Sequence, residues 1–335
     1  MIAMRAVGAL RGRLPRWCGG AVLAAATVFI PFAPAAPASR TLFFDDFAGN
    51  ALARSKWNVV VTGITVNDEQ QAYVDSPDTI AIVHDADGSS GGALAITTRS
   101  RRGFRTPDGR TFDFVSGRIN TRGKFDFTYG TAAARVKLSA GAGLWPAFWV
   151  LGNGPWPDTG EIDVMENVGD PSWTNSALHG PGYSGDKGLV ARQHFPDGGN
   201  ATGWHVYAVD WAPGELVFTV DGHERWRVSR ATVESRGRWA FENPKFMIVN
   251  QAIGGVYPHA VNGVERPYSG VPQSTVAAIE AGKAVMLVDW VRVTAAPMGD
   301  PARVAVREYP GDMFYSRAES RAAFKKDVEQ VFARH

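Results

Sequence analysis

The stretch Leu216-Val217-Phe218-Thr219-Val220-Asp221-Gly222-His223-Glu224-Arg225-Trp226 carries the clearest local signal in the chain. Two β-prone runs flank Asp-Gly, a dipeptide that tolerates the positive φ angles a two-residue hairpin turn requires. Similar apolar-alternating runs recur at 134–138, 205–211, 246–252 and 285–293, with turn residues between them. Long amphipathic helix is scarce before residue 315. Together with 37 glycines and 20 prolines, this pattern predicts an all-β sandwich or barrel running as one domain from near Thr41 to near Val293.

The flanks read differently. Residues 1–38 combine a basic start (Arg5, Arg11, Arg13, Arg16), an apolar stretch over 18–33 and the small-residue exit Ala36-Pro37-Ala38. That order predicts a signal peptide and a secreted or periplasmic protein. A retained anchor is the rival reading, but the apolar run is short for a bilayer and broken by prolines, so no membrane contact is expected after leader removal. Residues 295–335 are expected to form an Ala/Pro/Gly-containing linker and a C-terminal amphipathic helix. Its capping box would be Ser316-Arg-Ala-Glu319 and its apolar stripe Phe324, Val328, Val331 and Phe332.

Without the leader, 297 residues remain and the formal charge moves from +2 to −2. A mildly acidic chain argues against a nucleic-acid binder. The single cysteine, Cys18, lies in the leader, which removes disulfides, thiolate zinc sites and cysteine nucleophiles from the mature protein. A monomer built on an ordinary hydrophobic core is the expectation.

Within this frame Gly160-Glu161-Ile162-Asp163-Val164-Met165-Glu166-Asn167-Val168-Gly169 stands out, with three carboxylates among apolar residues. On a strand, Glu161 and Asp163 share one face, whereas Glu166, at an odd separation, would fall on the other. One β-bulge around Val164-Met165 restores the parity and brings all three acids to one space. Crowded carboxylates raise one another's pKa, a cost that suits either cation binding or acid/base chemistry. Calcium sites favour acids and carbonyls on flexible loops, so catalysis is the preferred reading. Retaining glycoside hydrolysis would use two such groups about 5–5.5 Å apart. A solvated face of an edge strand is the bland alternative. Trp145, Trp149, Trp156 and Trp173 fall within 29 residues around the acids, and flat aromatic faces beside carboxylates suit sugar rings.

The acidic segment resembles the signature Glu-x-Asp-x-x-Glu of glycoside hydrolase family 16. Ordered matches extend the resemblance from about residue 42 to 293: Phe43-Phe44-Asp45-Asp46-Phe47 with Trp57, Glu69-Gln70-Gln71-Ala72-Tyr73, Ser116-Gly117-Arg118-Ile119-Asn120-Thr121, Gly143 to Trp149, Val249 to Gly255 and Val288 to Val293. The resemblance implies a concanavalin A-like β-jelly-roll sandwich with an open cleft that cuts inside a polysaccharide chain with retention.

It also implies roles. Glu161 would be the nucleophile, Glu166 the acid/base and Asp163 the residue that steadies the nucleophile's protonation. Trp145 and Trp149 would stack on sugars, and Glu69, Arg118 and Asn250 would hydrogen-bond hydroxyls. His179, on the next strand, would sit beside Glu166 and tune it. No cofactor is required, but the family often carries a structural calcium, for which Asp289 and Asp46 are the candidates here. The six-residue signature points to laminarinase-like branches acting on β-1,3- or β-1,3/1,4-glucan. Gln70 replaces the usual leucine and residues 62–68 lack the Trp/Gly-rich loop of many laminarinases. A bacterial exopolysaccharide, a galactan, transglycosylation and a noncatalytic glycan-binding module therefore stay as alternatives.

Overall fold

The computed structural model describes residues 39–62, 66–84, 86–196 and 198–295. The leader and the C-terminal helix expected from sequence lie outside the described residues. Eighteen strands occur in chain order. The first nine are β1 (Thr41–Asp45), β2 (Asn58–Val59), β3 (Gln71–Tyr73), β4 (Ile80–Val83), β5 (Ala93–Thr97), β6 (Arg99–Arg105), β7 (Thr111–Ser116), β8 (Arg118–Asn120) and β9 (Gly130–Lys137). The rest are β10 (Leu144–Gly152), β11 (Glu161–Glu166), β12 (Trp173–His179), β13 (Leu189–His194), β14 (His205–Ala212), β15 (Glu215–Val220), β16 (His223–Ser229), β17 (Lys245–Ile253) and β18 (Val285–Thr294). Three short α-helices, α1 (Arg230–Glu234), α2 (Val256–Asn262) and α3 (Gln273–Glu280), and one 3-10 turn at Gly185–Lys187 complete the described elements. No described helix is long and apolar enough to cross a membrane.

Two antiparallel sheets make the sandwich, a jelly roll. One runs β16-β15-β14-β9-β18-β5-β4, with β1 also paired to β18. The other runs β13-β12-β11-β10-β17-β8-β2. A small third sheet, β3-β7-β6, contains the parallel pair β3 and β7. The ten-residue β18 serves three neighbours: β9 along one edge, then β5 and β1 in succession along the other. The predicted hairpin is β15–β16, and its turn residues Asp221 and Gly222 have φ of 53° and 76°. Asp221 also ties the turn to β14, since its Oδ1 accepts from Val206 N at 2.8 Å.

Alternation explains the two-layer packing. On β10, Phe148 and Val150 go fully into the inter-sheet core while Trp145 and Trp149 remain half-buried on the opposite face. Across the core they join Ile162, Leu178, Met247 and Val249, together with Tyr207, Trp211 and Phe218 of the other sheet. Trp211 is completely buried and its Nε1 donates to Phe241 O at 3.0 Å, so its polar edge is satisfied. Truncating such a ring to alanine costs about 3–5 kcal/mol. This rigid layer is what holds the outer face of the second sheet in place.

Candidate active site

The outer face of β10, β11, β17 and β8 forms a cleft open to solvent, with about 410 Å³ of empty space between its walls and the surrounding solvent. β10 contributes Trp145, Ala147 and Trp149; β11 contributes Glu161, Asp163 and Glu166; β17 contributes Asn250 and Ala252. Arg118 of β8, Tyr73 of β3 and the preceding loop residues Asn67 and Glu69 close the side. All three carboxylates therefore line one space. The bulge lies where parity demands it: Asp163 pairs with Ala177 but Glu166 with Asn175, so two residues of β11, Val164 and Met165, face one of β12, Ser176. The β10 side shows the same shift, Phe148 pairing with Met165 and Trp149 with Asp163.

Each carboxylate has a different setting. Trp156 Nε1 donates to Glu161 Oε2 at 3.0 Å. Glu166 accepts two bonds, from Trp145 Nε1 at 2.8 Å and from Asn175 Nδ2 at 2.9 Å. Asp163 Oδ2 is buried without a hydrogen-bond partner, with His179 Nε2 3.5 Å away. Burial and the neighbouring Glu166 push Glu161 up to about 7. Burial, then Glu161 and Glu166, hold Asp163 well above the usual carboxylate range, and its hydrogen bond with Glu161 adds to the rise. Burial also raises Glu166, against the pull of its two N–H donors. Such a cluster keeps at least one proton near neutrality and can exchange it between groups.

A second network lies beside the acids. Trp149 Nε1 donates to Asn250 Oδ1 at 2.7 Å, Asn250 Nδ2 donates to Tyr73 Oη at 3.1 Å, and Tyr73 Oη lies 3.4 Å from Glu69 Oε2. Gln71 Nε2 donates to the same Glu69 oxygen at 2.8 Å. The Arg118 guanidinium stacks 4.9 Å from the Trp149 ring and 5.9 Å from Tyr73. Asn250 thus spends its amide within the wall and fixes Trp149, leaving Glu69 and Arg118 as the more open polar groups.

Two expectations need revision. His179 stands opposite Glu161 and beside Asp163, not beside Glu166, because the antiparallel register pairs it with the start of β11, whereas Glu166 at the far end of that strand pairs with Asn175. Burial lowers its pKa, so the ring is neutral at neutral pH. Its place is set by Gly188, where a Cβ would stand 2.4 Å from His179 Cε1.

Asp289 and Asp46 do not fit a calcium site. Asp289 is fully buried, but Oδ1 accepts from Ser90 N at 2.6 Å, and Oδ2 from Ser90 Oγ at 2.9 Å and Arg135 Nη1 at 2.7 Å. Its charge is already met by a guanidinium. Asp46 is exposed and bonds Ala48 N, while its neighbour Asp45 takes the buried position and bonds Trp57 Nε1 at 2.7 Å. Among the described residues the one group of three or more potential metal ligands is Glu161, Asp163 and His179, within the cleft itself.

Trp156, Asn175 and Tyr257 were not singled out as site residues by sequence. Asn175 carried a readable signal, because the period of two along β12 puts it on the face of Ala177 and His179. Tyr257 arrives on α2, whose entry through Gly254-Gly255 packs so closely that a Cβ on Gly255 would stand 2.3 Å from Asn67 O. Its ring meets Trp145 edge-on at 5.4 Å.

The family model for Glycosyl hydrolases family 16 matches residues 54–262, which contain every carboxylate of the cleft. The chain belongs to glycosyl hydrolase family 16. A family 16 relative, a beta-glucanase from Rhodothermus marinus, is 32% identical over 77% of this chain and 86% of the relative. Glucan endo-1,3-beta-glucosidase A1 of Niallia circulans is 30% identical over 78% of this chain, which spans 39% of that longer protein. Among solved structures, the endo-beta-1,3-glucanase from Pyrococcus furiosus superposes with a TM-score of 0.66 at 32% identity, covering 77% of this chain and 94% of its own. As a member of family 16 the protein is a glycoside hydrolase with a polysaccharide substrate.

Proposed function

We propose that this family 16 hydrolase cuts β-1,3- or mixed β-1,3/1,4-glucan within the chain, by double displacement and outside the cytoplasm. The observation that carries the reading is the distinct setting of Glu161 and Glu166 on one bulged strand, between the indoles of Trp156 and Trp145. Glu161 attacks the anomeric carbon as a carboxylate. Glu166 protonates the departing glycosidic oxygen, then takes a proton from the water that releases the sugar. Asp163, kept protonated by its surroundings, donates to Glu161 and stabilises that carboxylate as it leaves in the second step. Forming the glycosyl ester removes the charge on Glu161. Repulsion on Glu166 then falls, and so does its pKa, as a base requires.

The names of the relatives support a glucan, and the cleft's indole faces support a sugar chain. The leader read in residues 1–38 supports export. The test is to incubate the purified mature protein with laminarin, lichenan, cellulose, agarose and a bacterial exopolysaccharide and to size the products by mass, with Glu161→Gln as control. Oligosaccharides from laminarin or lichenan that vanish in the control are expected. Silence on both glucans with cleavage of another glycan would overturn the substrate, and silence on all would overturn the function.

A further inference from the structure

Lys245, the first residue of β17, is completely buried and has no carboxylate partner in any hydrogen bond or ion pair among the described residues. An ammonium without an anion in the interior is costly, and a residue of similar length such as methionine would fill the space more cheaply. Its three N–H donors are all used: Nζ donates to Thr159 O, to Ala240 O at 3.1 Å and to Asn243 Oδ1 at 3.2 Å. The rings of Trp211 and Phe241 lie 5.6 and 5.5 Å away and supply the remaining shell. Burial lowers its pKa to about 7.

The acceptors lie on two segments, which Arg238 also joins from the surface by donating from Nη2 to Asp158 O at 3.1 Å. Thr159 belongs to the loop 153–160 between β10 and β11, and Ala240 and Asn243 belong to the segment leading into β17. The loop carries Trp156, which is 52% exposed yet donates its Nε1 to Glu161 Oε2. An indole that exposed cannot be held by its own packing, so its position depends on how the loop base is fixed. That base is tight: a Cβ on Gly152 would stand 2.4 Å from Thr159, and one on Gly160 would stand 2.5 Å from Ala240 O.

We propose that Lys245 is a positioning residue of the active site, a buried ammonium that ties the base of the 153–160 loop to the β17 approach and so holds Trp156 against Glu161. The inference rests on Glu161 being the nucleophile proposed above. The cation acts through the backbone of Thr159 and touches neither substrate nor carboxylate. Loss of the tie frees Trp156, and Glu161 loses a donor that lowers its pKa.

The test compares Lys245→Met, Trp156→Phe, their double variant and the milder Asn243→Ala, which removes one of the three acceptors. In 15N-labelled mature protein the Trp156 indole N–H resonance is assigned by its loss in Trp156→Phe. In Lys245→Met it should move and exchange with solvent about tenfold faster, with a smaller change in Asn243→Ala. On glucan, Lys245→Met and Trp156→Phe should each lower kcat/KM by about tenfold below neutrality and move the acid limb to higher pH, with little further loss in the double variant. A Trp156 resonance unchanged in both Lys245→Met and Asn243→Ala would overturn the proposal. So would a lowered Tm with the wild-type pH profile. Absence of any glycan turnover in the wild type would instead reject the proposed function, and the indole resonance would still decide the role of Lys245.

Discussion

Tyr257 Oη donates to Asn175 Oδ1 at 3.0 Å, and the amide oriented in this way donates from Nδ2 to Glu166 Oε2 at 2.9 Å. A helix residue thereby sets which end of a strand amide faces the proposed acid/base. Removing the hydroxyl in Tyr257→Phe leaves the amide free to turn its oxygen toward Glu166. The expected result is a fall in kcat/KM of about 3- to 10-fold with little change in Tm, and a loss of about 10²-fold in Asn175→Ala. Steady-state kinetics on laminarin check both.

Trp145 plays two parts that substitution can separate. Trp145→Phe keeps an aromatic face beside Tyr257 but deletes the Nε1 donor to Glu166. That donor lowers the Glu166 pKa, so its loss raises it. Because the acid must be protonated to serve the first step, the alkaline limb of kcat/KM should move to higher pH while KM changes little. Trp145→Ala should in addition raise KM about tenfold through lost stacking. A pH–rate series on both variants distinguishes the two effects.

Glu161 should cost stability as well as confer activity. Its pKa in the folded state is raised from 4.5 to about 7, chiefly by burial. A raised folded-state pKa stabilises the fold below about pH 4.5, and that contribution is lost as pH climbs through about 7. Glu161→Gln removes the titration. The variant should therefore gain on the wild type at pH 8, on the order of 1–2 kcal/mol, and the gain should shrink toward pH 5. Thermal melts of both proteins across this range are the measurement.

The Arg135–Asp289 pair stands where the family resemblance placed a calcium ion. Arg135→Met would leave the fully buried Asp289 carboxylate with only Ser90. The expected cost is about 2–4 kcal/mol, or a fall in Tm of roughly 5–10 °C, discounted because Arg135 is partly exposed. Chelation with EDTA should leave the wild-type Tm unchanged. Calorimetry with and without chelator tests both statements.

Much of the layout was legible because strands have a strict period. The Asp221-Gly222 turn, the strands β14, β17 and β18, and the bulge beside Met165 all follow from alternation and turn chemistry. The acids could be placed on one face for the same reason. Less legible were contacts that join distant segments. Tyr257 reaches the site only because α2 brings it against Trp145, and Trp156 only because the eight-residue loop 153–160 turns back toward Glu161. The position of His179 was misread because the register between β11 and β12 is set by the connection over residues 167–172, and the sequence alone does not show which carboxylate that register places opposite the histidine. Asp46 and Asp45 are adjacent acids, and only the fold shows that Asp45 is the one that points inward.

The most direct test of the proposed mechanism is to inactivate the enzyme with a 2-deoxy-2-fluoro-β-laminaribiosyl fluoride and locate the label by peptide mass spectrometry. The fluorine slows release of the glycosyl-enzyme more than its formation, so a retaining enzyme accumulates the ester on its nucleophile. One laminaribiosyl group on Glu161 is the expected result. A label on Glu166, or an active enzyme that resists inactivation and first releases product of inverted anomeric configuration, would contradict it.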